Sequence, residues 1–129
     1  MGQPVVHFEV VGKDYEGLKS FYSDVAGWTY DEPPAATQEG VPPYALVQRD
    51  GNVNSEGIGI GGGIGVGPEG YEGHVTFYIE VPDVGASLEQ VEKLGGTRVM
   101  GPDSPVEGLT IGLFTDPEGH LVGLTQAAQ

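Results

Sequence analysis

Hydrophobic and polar residues follow the same order in two stretches of the chain that lie 69 positions apart. In each stretch an alternating apolar run leads to an aspartate, then to apolar residues at helical spacing and a glycine. The matching positions are Phe8 and Phe77, Val10 and Ile79, Asp14 and Asp83, and Gly27 and Gly96. Alternation is typical of a strand and a spacing of three to four residues of a helix, so the pattern predicts a duplicated strand–helix unit.

The first module is predicted over about residues 1–66. Its first strand covers about residues 5–11, and a helix follows with Asp14 as the N-cap and Gly27 at the C-terminal end. One face of this helix is apolar, formed by Leu18, Phe21, Tyr22 and Val25. The remaining elements are a loop that begins at Pro33 and Pro34, a strand over 44–49, a turn at Asp50 and Gly51, and a strand over 57–64.

The second module is predicted over about residues 71–129, after a linker at 65–73. Its elements are a strand over 74–81, a helix capped by Asp83 with Val84, Leu88, Val91 and Leu94 on its apolar face, strands over 97–100, 110–115 and 120–125, and a turn at 116–119. The chain is thus predicted to be one α+β domain over residues 1–129. Two tandem βαβββ modules would pair into a curved sheet around a cavity.

Alternation along the first strand of each module assigns side chains to two faces. One face is apolar and is predicted to pack beneath the helix; it carries Val6, Phe8 and Val10 in module one and Val75, Phe77 and Ile79 in module two. The other face carries His7, Glu9, Val11, Thr76, Tyr78 and Glu80. This mixture is too polar for a core and too aromatic for an ordinary surface, so we predict a cavity wall. The predicted ligand-binding residues are His7, Glu9, Tyr44, Thr76 and Tyr78.

Charge and composition restrict the partners of this cavity. The 129 residues include 5 Lys and Arg against 19 Asp and Glu, a net charge of −14. Nucleic acids and anionic membranes are therefore excluded as partners, whereas a neutral or cationic small molecule is compatible. The absence of cysteine excludes disulfides, thiolate nucleophiles and cysteine-based metal sites. No apolar run approaches the length of a membrane span and no signal peptide is evident, so the chain is expected to be cytoplasmic.

Several motifs occur in a familiar order: His7, then Phe21-Tyr22 fourteen residues later, then Gly27-Trp28, and a DPEG turn at 116–119 before the last strand. With the paired βαβββ modules, this order resembles the glyoxalase/bleomycin-resistance/extradiol-dioxygenase superfamily, also called vicinal oxygen chelate proteins. The resemblance covers essentially the whole chain. It implies a small-molecule ligand and, because relatives of this size are commonly dimers, a homodimer.

The resemblance also implies metal-ligand positions in the members that use a metal, and only one of four is kept in this chain. His7 matches the first position, seven residues before the capping Asp14. The equivalent position before Asp83 is Thr76, the position after the DPEG turn is Gly123, and the run 57–67 has no carboxylate. A catalytic metal needs about three firm protein ligands. We therefore expect no metal ligands, no cofactor and no stoichiometric metal, as in the metal-less glyoxalase-like group.

His7 and Glu9 are the candidate catalytic residues, because they project to one strand face about 7 Å apart. Glu9 would serve as a base with His7 as its partner; alternatively, the two side chains bond each other and only shape the pocket. His74 and His120, beside glycine-rich turns, are interpreted as solvated surface residues. The glycines at 57–62 fit a G-x-G-x-x-G pattern, but no helix can follow them, which favours a strand that gives room at the cavity floor.

These observations predict a protein that binds a small organic molecule in a cavity without a bound metal. Two alternatives remain. The first is a lyase, isomerase or dioxygenase of the same superfamily, dependent on a metal or on acid–base groups, which metal content and turnover of thiohemiacetal, epoxide or catechol substrates would identify. The second is a drug-sequestering resistance protein, whose affinity for a cationic drug would fall steeply with salt.

Overall fold

The computed structural model describes residues 2–32 and 42–126, so the loop predicted to begin at Pro33 and Pro34 lies outside the described residues. The elements are, in chain order, β1 (Val5–Gly12), α1 (Tyr15–Ala26), β2 (Tyr30–Asp31), β3 (Tyr44–Val47), β4 (Gly61–Val66), β5 (His74–Glu80), α2 (Val84–Lys93), β6 (Thr97–Val106), β7 (Leu109–Thr115) and β8 (Leu121–Gln126). This order is βαβββ twice, which confirms the α+β class. Neither helix in the described part of the chain has the length and apolar character that a membrane crossing needs.

The chain falls into two compact units, the first of residues 7–75 and the second of residues 1–6 with 76–129. In the first unit the strand order is β2-β3-β4-β1, with β4 parallel to β1 and antiparallel to β3. Val10 on β1 pairs with Ile64 on β4, which pairs with Ala45 on β3. These three side chains and Val47 are buried and form the core of this unit.

Both helices begin directly after the predicted N-cap aspartates. The Asp14 carboxylate accepts a hydrogen bond from Gly17 N at 3.0 Å, and the Asp83 carboxylate accepts one from Ala86 N at 3.0 Å. Such side-chain acceptors satisfy amide groups that have no partner inside the first turn. Helix α1 ends at Gly27, whose φ of 73° is a left-handed conformation that glycine adopts without steric cost. The predicted caps are confirmed.

The predicted apolar face of α1 is only partly buried. Leu18 and Tyr22 are half-buried, and the Tyr22 ring stacks on Trp28 with the ring centroids 5.1 Å apart. Phe21 and Val25, however, are exposed, so these two members of the predicted apolar face are not buried. Helix α1 contacts the sheet at β4, and Leu18 lies against Gly12 at the end of β1.

In the second unit the strand order is β5-β8-β7-β6, with β5 parallel to β8 and the other neighbours antiparallel. A buried apolar cluster joins α2 to the sheet; its members are Val81, Val84, Leu88 and Leu124, with Ile79 and Phe114 packed against them. The predicted packing of Val75 and Phe77 beneath α2 is wrong, since they are 73% and 42% exposed. Helix α2 lies mainly over β6 and β7. Of Val75, Phe77 and Ile79 on β5, only Ile79 packs against the buried cluster beneath it.

Two predicted strands have different bounds in the structure. β4 begins at Gly61, four residues after the predicted start, because the chain turns at Gly57 with a φ of 77° and the Arg49 guanidinium donates to the carbonyls of Gly57 and Gly59. β6 continues to Val106 beyond the predicted end at position 100. It can include prolines because it is last in the strand order of its unit, where one row of amides needs no partner strand.

Candidate functional site

The polar face of the first unit is built on three neighbouring strands. His7 and Glu9 on β1 pair with Gly61 and Gly63 on β4. On this face β4 carries only glycines, at 61, 63 and 65. A Cβ atom at Gly63 would overlap the hydroxyl of Tyr44, and one at Gly65 would lie 2.6 Å from Cδ1 of the same ring. The glycines therefore make room for the Tyr44 ring, which reaches across β4 from β3.

Tyr44 connects the two candidate catalytic residues. Its hydroxyl donates to Glu9 Oε1 at 3.0 Å and lies 2.9 Å from His7 Nε2. Because a phenol has a single hydrogen and Glu9 takes it, His7 Nε2 carries the hydrogen of the second bond and donates to the Tyr44 oxygen. His7 and Glu9 are thus linked through a tyrosine. The expected open space at the glycine strand is filled by the Tyr44 ring.

His74 joins the same site from the first residue of β5. Its Nε2 lies 2.7 Å from Glu9 Oε2, and its Nδ1 lies 2.6 Å from the Tyr71 hydroxyl. The side chains of His74 and Glu9 are each only 12% exposed, so the interpretation of His74 as a solvated surface residue is wrong. The signal was present in the sequence, because alternation places His74 on the strand face of Thr76 and Tyr78. His120 is exposed, as expected, and its Nδ1 lies 3.0 Å from Asp116 Oδ2.

Five titratable side chains therefore form one hydrogen-bonded series, named the Glu9 network: His7, Tyr44, Glu9, His74 and Tyr71. Both oxygens of the Glu9 carboxylate accept hydrogen bonds, one from the Tyr44 hydroxyl and one from His74 Nε2, which carries the hydrogen while Glu9 is ionised. All five residues lie in the first unit. The arrangement can hold a carboxylate out of bulk water, and its donors and acceptors form a continuous series.

Burial lowers the pKa of the His7 imidazole below its ordinary value of 6.5, because the charged form loses hydration. The Glu9 carboxylate opposes this effect, since a nearby negative charge favours the imidazolium, but burial is the larger cause. His7 is therefore neutral near pH 7. This agrees with the hydrogen-bond assignment, in which its Nε2–H is a donor to Tyr44.

The lowered pKa of His7 predicts a loss of stability in mild acid. Below about pH 6.5 the unfolded chain binds a proton at His7 that the folded chain does not, so the free energy of unfolding falls as the pH drops from 6.5 toward the lower folded-state pKa. Urea denaturation at a series of pH values measures this slope. His7→Gln should reduce it between these pH values. An equal slope in the two proteins would contradict the assignment.

Thr76 and Tyr78, the other two predicted ligand-binding residues, lie in the second unit. Thr76 is buried and its hydroxyl donates to the Leu121 carbonyl at 2.5 Å. Tyr78 is also buried, and it pairs with Gly123 on β8. The structure brings His7, Glu9 and Tyr44 into one network, and it places Thr76 in a bond to the main chain. A ligand contact at Thr76 or Tyr78 stays a prediction.

The residues at the implied metal positions do not fit a divalent metal site. A Cβ atom at Gly123 would lie 2.5 Å from a carbon of the Tyr78 ring, so this ring fills the space where the implied carboxylate would begin. On β4 the Tyr44 ring covers the equivalent glycines. Within residues 2–32 and 42–126, no three His, Asp or Glu side chains are grouped as metal ligands. The expectation of a metal-free purified protein stays a prediction.

A shallow pocket of about 240 Å³ lies at the outer end of the Glu9 network. It is lined by Gly12, Lys13, 66–70 and Tyr71. Tyr71 is 37% exposed, and so the network ends at a side chain that contacts solvent.

Comparison with known proteins identifies relatives of the chain as a whole. The sequence profile of the glyoxalase-like domain matches residues 7–125. "Putative glyoxylase CFP32" of Mycobacterium bovis is 34% identical over 115 residues, which are 88% of this chain and 42% of that protein. The protein of the same name from Mycobacterium tuberculosis gives the same values. The chain therefore spans less than half the length of these curated relatives.

Solved structures share the fold at low identity. A variant of methylmalonyl-CoA epimerase from Streptomyces coelicolor, in complex with 2-nitronate-propionyl-CoA, has a TM-score of 0.63 at 16% identity, covering 98% of this chain and 99% of that one. A glyoxalase/bleomycin resistance protein/dioxygenase superfamily member from Vibrio splendidus has a TM-score of 0.59 at 18% identity, covering 97% and 99%. At these identities the likeness concerns the fold alone.

Proposed function

The chain belongs to the glyoxalase-like domain family, and from this membership we propose that it binds a small organic molecule at the Glu9 network without a bound metal. The observation that carries the proposal is the Glu9 carboxylate, only 12% exposed and bonded through both oxygens to Tyr44 and His74. Holding a carboxylate away from bulk water costs free energy, which its hydrogen bonds only offset, and such buried polar groups are common at functional sites. A few convergent polar groups of this kind are typical of ligand-binding sites.

Charge favours a neutral or cationic ligand. The net charge of −14 raises the energy of any anion that approaches, and the carboxylate at the centre of the network adds to this effect. An acyl-CoA, as named for the epimerase structure, carries phosphates that need clustered cations. A ligand with a hydroxyl or amine donor for Glu9 and an apolar part against the Tyr44 ring fits the described residues better.

Acid–base catalysis is the second candidate, and the continuity of the Glu9 network favours it. Glu9 would take a proton from a carbon or hydroxyl of the substrate and return it to the same or a neighbouring atom. Such a step needs no metal and consumes no other reactant, which suits an isomerase or a lyase. The rigid bonds from Tyr44 and His74 would hold the carboxylate in one orientation for the transfer.

Native mass spectrometry with elemental analysis of the freshly purified protein tests the proposal first. We expect no stoichiometric metal and, where a ligand is retained, an organic adduct of neutral or positive charge. About one Ni, Zn, Fe or Mn per chain would contradict a metal-free site. The same spectrum reports the oligomeric state, which we propose to be a homodimer.

Glu9→Gln is expected to weaken ligand binding, or turnover, by about 10-fold to 100-fold, because it removes a charged acceptor worth roughly 1.5–3 kcal/mol. Calorimetry and turnover assays with thiohemiacetals, epoxides, catechols and a cationic drug measure the effect. Glu56→Gln, an exposed carboxylate of the same unit, is the matched control and should have no effect. Unchanged affinity in Glu9→Gln for a ligand that wild type binds would remove Glu9 from the site. For a cationic drug, affinity that falls steeply with salt would support sequestration.

A further inference from the structure

The Glu9 network extends outward beyond the residues that a ligand on the polar face would contact. Glu9 and His74 are each 12% exposed, whereas Tyr71 is 37% exposed and lines the pocket with Lys13 and Glu69. The bonds along this direction are short, 2.7 Å from Glu9 to His74 and 2.6 Å from His74 to Tyr71. An imidazole between a buried carboxylate and a solvent-facing phenol is suited to proton transfer.

We propose that His74 and Tyr71 form a proton path between Glu9 and solvent, by which Glu9 can exchange a proton with solvent on the side away from a bound ligand. The proposal rests on the proposed acid–base role of Glu9. His74 and Tyr71 act through Glu9 and are positioning residues. A ligand on the polar face would shield Glu9 from water, so a proton that Glu9 gains or loses without returning it to the substrate would need a second route to solvent.

The transfer balances without any other reactant. While Glu9 is ionised, His74 carries its hydrogen on Nε2 and donates it to Glu9 Oε2, and the Tyr71 hydroxyl donates to Nδ1. In the inward transfer Glu9 takes the hydrogen of Nε2, Nδ1 takes the hydrogen of Tyr71, and Tyr71 takes one from solvent. Glu9 is then protonated, and His74 and Tyr71 end neutral with their hydrogens exchanged. The reverse sequence returns Glu9 to the carboxylate and releases one proton to solvent.

Charged side chains with a net negative charge lie near the outer end of the network. Lys13 is paired with Glu72, with the Lys13 Nζ 3.1 Å from Glu72 Oε2, and both side chains are largely exposed. Glu69 lines the same pocket. The net negative charge at this end favours a proton that leaves the protein through Tyr71.

Tyr71→Phe tests the path, because phenylalanine keeps the ring and removes the hydroxyl. In ¹⁵N-labelled protein without ligand, NMR measures the rate at which the His74 ring hydrogen exchanges with solvent. We expect exchange in Tyr71→Phe to be slower by on the order of tenfold. If Tyr71 only held His74 in place, exchange in Tyr71→Phe would be faster than in wild type, because loss of the hydrogen bond would make the His74 ring more mobile. Tyr15→Phe, which removes an exposed hydroxyl bonded to Glu32, is the matched control.

His74→Gln gives a second measurement. The glutamine amide can donate a hydrogen bond to Glu9 but cannot pass a proton on. The proton of the Glu9 carboxyl, followed through the carboxyl ¹³C signal, should therefore exchange with solvent more slowly than in wild type. Unchanged or faster exchange in both variants would overturn the path. Because neither measurement needs a ligand, this failure is distinct from a failure of the binding and turnover assays, which would remove the proposed function instead.

Discussion

Gly63→Val is expected to lower the free energy of unfolding by about 1–3 kcal/mol, the usual cost of inserting atoms into a packed site. The space that the new side chain needs is occupied by the hydroxyl end of Tyr44, since a Cβ atom at position 63 would overlap it. The ring has to leave its position across β4, and its bonds to His7 and Glu9 are then broken. Urea denaturation followed by circular dichroism measures the change.

A double-mutant cycle with Tyr44→Ala shows whether this overlap is the cause. In the Tyr44→Ala background the space is free, so Gly63→Val should cost at least about 1 kcal/mol less than in wild type, well outside the error of additive sites. Gly2→Val, at a glycine with no atom near its Cβ position, should change stability by less than about 0.5 kcal/mol. Equal losses in the free energy of unfolding in both backgrounds would show that the strand itself, and not Tyr44, fails to accommodate the valine side chain.

Leu88→Ala is expected to lower the free energy of unfolding by about 2–5 kcal/mol, a larger loss than that expected for Gly63→Val. Leu88 is completely buried in the cluster that joins α2 to the sheet of the second unit, next to Val84 and Leu124. Truncation removes apolar contacts and leaves a cavity that the surrounding side chains fill only in part. Thermal and urea denaturation both report the loss.

Leu94→Ala is the matched control for this prediction, because it makes the same chemical change just beyond the end of the same helix. Leu94 is 68% exposed, and its truncation should change stability by less than about 0.5 kcal/mol. Comparable losses in the two variants would mean that burial of Leu88 in the cluster is not the main source of the stability that α2 contributes.

The features predicted correctly from the sequence are those that depend on neighbouring residues. Asp14 and Asp83 cap their helices, and Gly27 ends the first one, because a cap is a contact between residues three or four positions apart. The two βαβββ modules are predicted from the repeated pattern because strand alternation and helix spacing also involve residues that are close in the sequence. Strand bounds are predicted less well where a distant side chain determines them, as Arg49 does before β4.

The hydrophobic periodicity of a helix does not determine how the helix is oriented over its sheet. The pattern shows that Phe21 and Val25 share a face with Leu18, but not which part of that face contacts the sheet. In the same way, Val75 and Phe77 alternate as core residues do, yet α2 lies mainly over β6 and β7 and leaves them exposed. These contacts join residues far apart in the chain, and one sequence alone does not determine them.

The site is predictable only in part, for a related reason. His7 and Glu9 are identified from the sequence because alternation fixes the face of a strand. The bond from His74 to Glu9 joins residues 65 positions apart and depends on how their strands are placed in the fold. The role of Tyr44 as the link between His7 and Glu9 depends on the β3–β4 register.

The Tyr44 ring also protects the backbone of β4. A strand with glycine at positions 61, 63 and 65 has no side chains of its own to keep water from its ladder hydrogen bonds on that face. Tyr44 lies over two of these positions and shields the amides there, as β-branched side chains do on an ordinary strand. The resistance of β4 to local opening therefore depends on a residue of the neighbouring strand.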